Sequence, residues 1–238
     1  MSSDKTWRGE IVMQFIASQF FCFSLGMVAI ALLHRIGVAG FKHEADSGNV
    51  LLATLCFQGA TWILIPIFLR RHQVRWRDAF GLRGENLKRA LAMAAGVVAV
   101  ILPVAWLLQG ASVAALEKIG WPVENEAAVA LVAGAKMFWL KMYLGLFAVV
   151  LAPVSEEFIF RGVLFPFVKQ LGFPKLAWFG VSFLFAAIHF DAAIFAPLFA
   201  LALALTWLYQ KTDSLLAPIV AHGLFNAVNL VVLFYAPK

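Results

Sequence analysis

Long apolar runs separated by short polar connections dominate the chain, at roughly 11–33, 50–69, 89–109, 138–168, 175–190, 193–210 and 214–235. A helix that crosses the hydrocarbon core of a bilayer needs ~20 mostly apolar residues. The runs lack the apolar/polar alternation of a membrane barrel, and lipid tolerates only closed barrels and helices. The pattern therefore predicts an all-α fold, a polytopic transmembrane helix bundle of about seven spans. The first run is too long for a signal-peptide core and no small-residue cleavage pattern follows it, which predicts a retained first span. Residues 110–137 interrupt the pattern with Glu117, Lys118, Glu124 and Glu126. The stretch from Glu126 to Ala135 is a candidate interfacial helix, and an eighth membrane segment would have to come from this interruption.

Composition strengthens the membrane reading. Hydrophobic residues make up 63% of the 238 and charged residues 13%, with a mean hydropathy of +0.86. Soluble domains carry about 45–50% apolar and about 25% charged residues, and a soluble core of this length cannot hide the excess. The 23 Phe and 8 Trp suit lipid-facing and interfacial positions. One integral membrane domain accounts for the whole chain. Within it, residues 1–137 hold the N-terminal helices, a basic loop and the polar connection, and residues 138–238 hold the candidate chemistry.

The formal charge of +6 is concentrated, with Arg70, Arg71, Arg75, Arg77, Arg83, Lys88 and Arg89 in one short connection. That is the positive-inside signature and not a nucleic-acid groove. It predicts a multi-pass protein of the cell membrane with a cytoplasmic N-terminus and the lipid bilayer as its first partner. Cys22 and Cys56 both lie within apolar runs and read as packing residues.

The chemistry is carried by groups that lipid should exclude. Of thirteen acidic residues, only Glu156 and Glu157 lie well inside an apolar run. Of five histidines, His34, His43 and His72 fall at helix ends or in loops, and only His189 and His222 are embedded. An ionisable group at membrane depth costs ~2.5–3.5 kcal/mol on insertion scales and usually marks a functional site. A single embedded histidine is more often interhelical glue. Two carboxylates, two histidines, an arginine and an asparagine in the last third of the chain favour function.

Spacing adds geometry. Gly172-Phe173-Pro174 reads as a turn, and Glu156 and His189 lie nearly equidistant from it, which predicts that they sit side by side on an antiparallel helix pair. His222 and Asn226 share a face at i, i+4, and Phe185 lies one turn before His189. Adjacent Glu156 and Glu157 diverge by ~100° around a helix. Arg161 stands i+4 from Glu157, so the two are expected to neutralise each other and leave Glu156 as the reactive carboxylate, a general base. A substrate-binding role for Arg161 weighs about equally. Asp191 reads as a helix N-cap, and Ser155 and Ser182 as helix-packing serines.

The pattern Glu156-Glu157-x-x-x-Arg161, Phe185-x-x-x-His189 and His222-x-x-x-Asn226 resembles the CPBP family of CAAX proteases and bacteriocin-processing membrane proteins, which includes the type II prenyl-protein endopeptidase. The motifs span 156–226 and the likeness about 138–235; the first three runs carry no matching motif. The resemblance implies an intramembrane endopeptidase acting on a membrane-associated protein or peptide. By that likeness Glu156 and His189 activate a water, His222 and Asn226 stabilise the oxyanion, and Glu157, Arg161 and Phe185 support them. No cofactor is expected. The alternative within the same chemistry is a zinc ion on Glu156, His189 and His222.

Two other classes stand against this reading. A proton-coupled transporter would use embedded Glu, His and Arg but predicts matched, interrupted halves, whereas the polar residues here cluster in one half. A non-catalytic binding or immunity scaffold on the same fold would keep its cellular effect after Glu156→Ala, and a peptidase would lose it.

Overall fold

The computed structural model describes residues 6–41, 47–79, 87–123 and 138–235. The described residues are helical, without strands. In chain order the helices are α1 (Gly9–Arg35), α2 (Gly48–Arg71), α3 (Trp76–Ala79), α4 (Leu87–Lys118), α5 (Lys141–Gln170), α6 (Pro174–Ala187), α7 (Ala192–Thr212) and α8 (Leu216–Tyr235). Six of them are long and apolar enough to cross a bilayer, so the chain is a multi-pass helical membrane bundle. Large apolar side chains such as Phe20, at 71% exposure, and Leu107, at 76%, point outward, as lipid-facing positions must.

The run at 175–190 departs from expectation. Its helix, α6, has only 14 residues, or ~21 Å, short of the hydrocarbon thickness. It stops because Ile188 and His189 turn, Phe190 takes a left-handed φ of 53°, and Asp191 caps the next helix. The Asp191 carboxylate accepts the Ala193 N–H at 2.7 Å, the cap that the sequence predicted. The turn before α6 is also where expected, with Gly172 at a φ of 92°, a conformation that glycine adopts without a Cβ clash. The polar interruption at 110 is less abrupt than the sequence suggests, because α4 continues to Lys118. The expected interfacial helix at 126–135, with Glu124 and Glu126, lies outside the described residues, as do Arg83 and His43.

Two apolar cores hold the bundle. One gathers Phe15, Ile65, Phe68, Phe158, Phe165 and Phe185, mainly from α1, α2, α5 and α6. The other gathers Ala94, Val98, Leu201, Leu205, Ala221 and Phe225 from α4, α7 and α8. Trp7, just before α1, locks into the first core. Its indole donates to the Gly162 carbonyl at 2.8 Å. Its backbone exchanges two hydrogen bonds with the Gln170 amide, at 2.8 and 2.7 Å. Gly162 lies four residues before Pro166, and proline has no N–H to offer it in return.

α5 is not a uniform α-helix. Residues Phe147–Leu151 and Phe158–Leu164 form π turns, each followed two residues later by a proline, Pro153 and Pro166. α2 carries a third π turn at Leu55–Gly59. Such i→i+5 turns shift the register of everything beyond them and often occur at functional sites.

Candidate active site

α5 sets the site. Glu157 and Arg161 fall one turn apart on its inward face, fully buried, and pair at 2.9 Å. The guanidinium also donates to the Ala202 carbonyl at 2.8 Å and to the Thr206 hydroxyl at 3.4 Å, both on α7, and lies over the Phe185 ring at 4.8 Å. Each of the three guanidinium nitrogens thus has an acceptor, as burial of a charge requires.

His222 enters from α8. Its Nδ1 lies 2.9 Å from the same Glu157 oxygen that Arg161 holds, and its Nε2 lies 3.8 Å from the Glu156 carboxylate. The expected division, with Glu157 kept apart by Arg161 and Glu156 alone in the site, is therefore too strict. The Glu157–Arg161 pair exists as predicted, yet both carboxylates reach one imidazole, on its two different ring nitrogens. The ~100° between adjacent helical side chains is spanned because the ring stands between the two glutamates. α8 comes this close because residue 223 is glycine: a Cβ there would stand 2.5 Å from the Val149 carbonyl oxygen of the first π turn in α5. Asn226, one turn on, donates to the neighbouring Ala148 carbonyl at 2.9 Å and keeps its second N–H free of that bond.

His189 makes no hydrogen bond or ion pair to Glu156 among the described residues. Its Nδ1 lies 2.8 Å from the Phe185 carbonyl, and its ring touches Phe185, which in turn touches His222, with ring centroids at 5.3 and 5.7 Å. α6 ends before His189, and the π turns of α5 break the 3.6-residue count on which equidistance relied. A carbonyl can only accept, so His189 carries a proton on Nδ1. His222, donating from Nδ1 to a carboxylate, does the same. Phe185 therefore joins the two imidazoles physically.

Among the described residues no group of three His, Cys, Asp or Glu side chains is gathered to hold an ion. Phe185 contacts both imidazoles that would have to share it.

Sequence reasoning missed Gln58. It is buried in the π turn of α2, and its amide donates to Glu156 Oε1 at 2.9 Å while its carbonyl accepts from the Ser155 hydroxyl. Ser155, read as a packing residue, thus belongs to the same network. The missed signal was an uncharged polar residue inside the apolar run 50–69, invisible to a census of ionisable groups.

The cluster lies toward the basic end of the bundle. Arg89 and Lys211 line one small cleft there, and the Arg8 N–H donates to His72 at 3.0 Å. His222 is only six residues, ~9 Å, into α8 from that end.

Fold and site together define a multi-pass membrane protein with an acid–base cluster sequestered among its helices. Residues 137–228 match the family model described as type II CAAX prenyl endopeptidase Rce1-like. That segment contains all three motifs, so the resemblance drawn from them is shown for this part of the chain. At the level of the family the activity is that of a membrane endopeptidase. No curated protein and no solved structure matches the chain.

Proposed function

We propose that this protein is an intramembrane endopeptidase that hydrolyses a peptide bond in a membrane-associated protein or peptide, with Glu156 as general base. The observation that carries the reading is the 3.8 Å between Glu156 Oε2 and His222 Nε2. A gap of this size suits a bridging water better than a direct bond. Both atoms are acceptors when Glu156 is ionised and His222 neutral, so they take the two protons of one water and turn its lone pairs toward a substrate carbonyl. Glu156 removes one proton as the water oxygen bonds to the carbonyl carbon, and returns it to the amine nitrogen as the C–N bond breaks. The free N–H of Asn226 is the oxyanion donor. His189, across Phe185 from His222, is a second proton carrier, and Glu157 with Arg161 fixes the His222 ring.

The family description makes prenylated C-terminal segments the first substrate class to try, beside unprenylated membrane peptides. The basic end, read as cytoplasmic with the N-terminus, makes the site accessible from the cytoplasm. The test is cleavage of both peptide classes by purified protein in liposomes, with wild type, Glu156→Ala and a chelator. Cleavage by wild type that survives chelator and disappears in Glu156→Ala supports the reading. Cleavage unchanged in Glu156→Ala, or none by folded wild type, refutes it, and the second result favours a binding scaffold.

A further inference from the structure

The π turn in α2 places a group beside Glu156 from a part of the chain outside the matched segment. At that turn the Phe57 carbonyl, which also accepts the Ala60 backbone N–H, is held by two side chains. Gln19 of α1 donates at 2.6 Å and Thr61 at 2.9 Å. Gln19 and Thr61 are both buried, so the distortion is held from two sides. Its effect is to turn Gln58, at 7% exposure, toward α5.

There Gln58 has one orientation available. An ionised Glu156 can only accept, so the amide N–H of Gln58 must face it, and the amide oxygen must face Ser155. Ser155, whose hydroxyl also reaches the Leu151 and Ala152 carbonyls, can complete the lock by donating to that oxygen. The terminal torsion of a glutamate is otherwise broad and nearly two-fold. With Oε1 of Glu156 held by Gln58 at 2.9 Å, Oε2 is the oxygen left facing His222.

We propose that Gln58 is a positioning residue of this site: by holding one Glu156 oxygen it aims the other at His222 and at the water between them. The catalytic consequence rests on the peptidase reading, whereas the Gln58–Glu156 contact does not. A reacting group misplaced by ~1 Å can cost about 10²-fold in rate, so Gln58→Met, similar in volume but unable to donate, should lower kcat by roughly that factor. KM should stay unchanged, since the contact acts on the reacting atoms and not on substrate binding.

The experiment combines these kinetics in liposomes with infrared difference spectroscopy. Subtracting the Glu156→Gln spectrum from wild type isolates the Glu156 carboxylate band, which should move when Gln58→Met removes its donor. An unmoved band overturns the proposal, and so does a loss confined to KM. If wild type cleaves no peptide, the peptidase reading falls and the band alone decides the positioning role. If Gln58→Met does not fold, Ser155→Ala takes its place. Releasing the amide should give a smaller kcat loss at constant KM with a shifted band, and an unchanged kcat and band overturns the proposal.

Discussion

Arg161 offers the sharpest test of how the buried cluster is held. It is fully buried and pairs with Glu157 at 2.9 Å, while Glu157 in turn holds His222. Arg161→Leu removes the cation and leaves a carboxylate stranded among helices. Losing one partner of a buried pair costs about 3–5 kcal/mol. The Ala202 carbonyl loses its donor as well, so the upper half of that range is expected. For a chain of this size each kcal/mol moves Tm by about 2–4 °C, which sums to a fall of roughly 10–20 °C. Replacing both partners by apolar residues removes the stranded charge, and such pairs are often near neutral. The double variant Glu157→Leu/Arg161→Leu should therefore recover most of the lost stability, though not activity, because His222 loses the group that orients it. The assay is thermal unfolding in detergent followed by tryptophan fluorescence, with cleavage measured in parallel. A double variant as unstable as Arg161→Leu alone would refute the reasoning, because packing and not charge compensation would then set the loss.

Two further outcomes are expected. Gly223→Ala forces α8 away from the Val149 carbonyl, an overpacking cost of about 1–3 kcal/mol, and draws His222 off both glutamates; a lowered Tm with reduced cleavage is expected, and wild-type values for both would contradict the packing argument. At the basic end, neutral His72 accepts the Arg8 N–H and touches the Trp7 ring. Burial, helped by the Arg8 and Arg71 charges, pushes its pKa below the usual 6.5. The folded state thus resists protonation, and His72's contribution is complete above about pH 6.5 and is lost as pH falls through the lowered value. Tm measured between pH 7.5 and 5 should fall on the acid side, and His72→Phe should flatten that fall; an equal fall in the variant would remove His72 as its cause.

Some features needed no tertiary information. Run length and hydropathy determined that the chain is helical and membrane-embedded, because lipid offers no partner for an open backbone. The expense of charge in lipid made Glu156, Glu157, Arg161, His189 and His222 conspicuous, and i, i+4 spacing identified the Glu157–Arg161 pair and the shared face of His222 and Asn226. Asp191 and Gly172 were legible because capping and turning are local. Other features only the fold decided. Gln58 meets Glu156 across 98 positions, His222 meets Glu157 across 65 and Trp7 meets Gly162 across 155, distances over which no sequence period carries information. Counting from the turn did not give His189 its partner, the Phe185 carbonyl, because α6 stops short and π turns in α5 alter its register. The sequence thus determined which groups are costly to bury. Which of them meet was decided by where α2 and α5 depart from ideal geometry, where α6 stops, and where a glycine lets α8 touch α5.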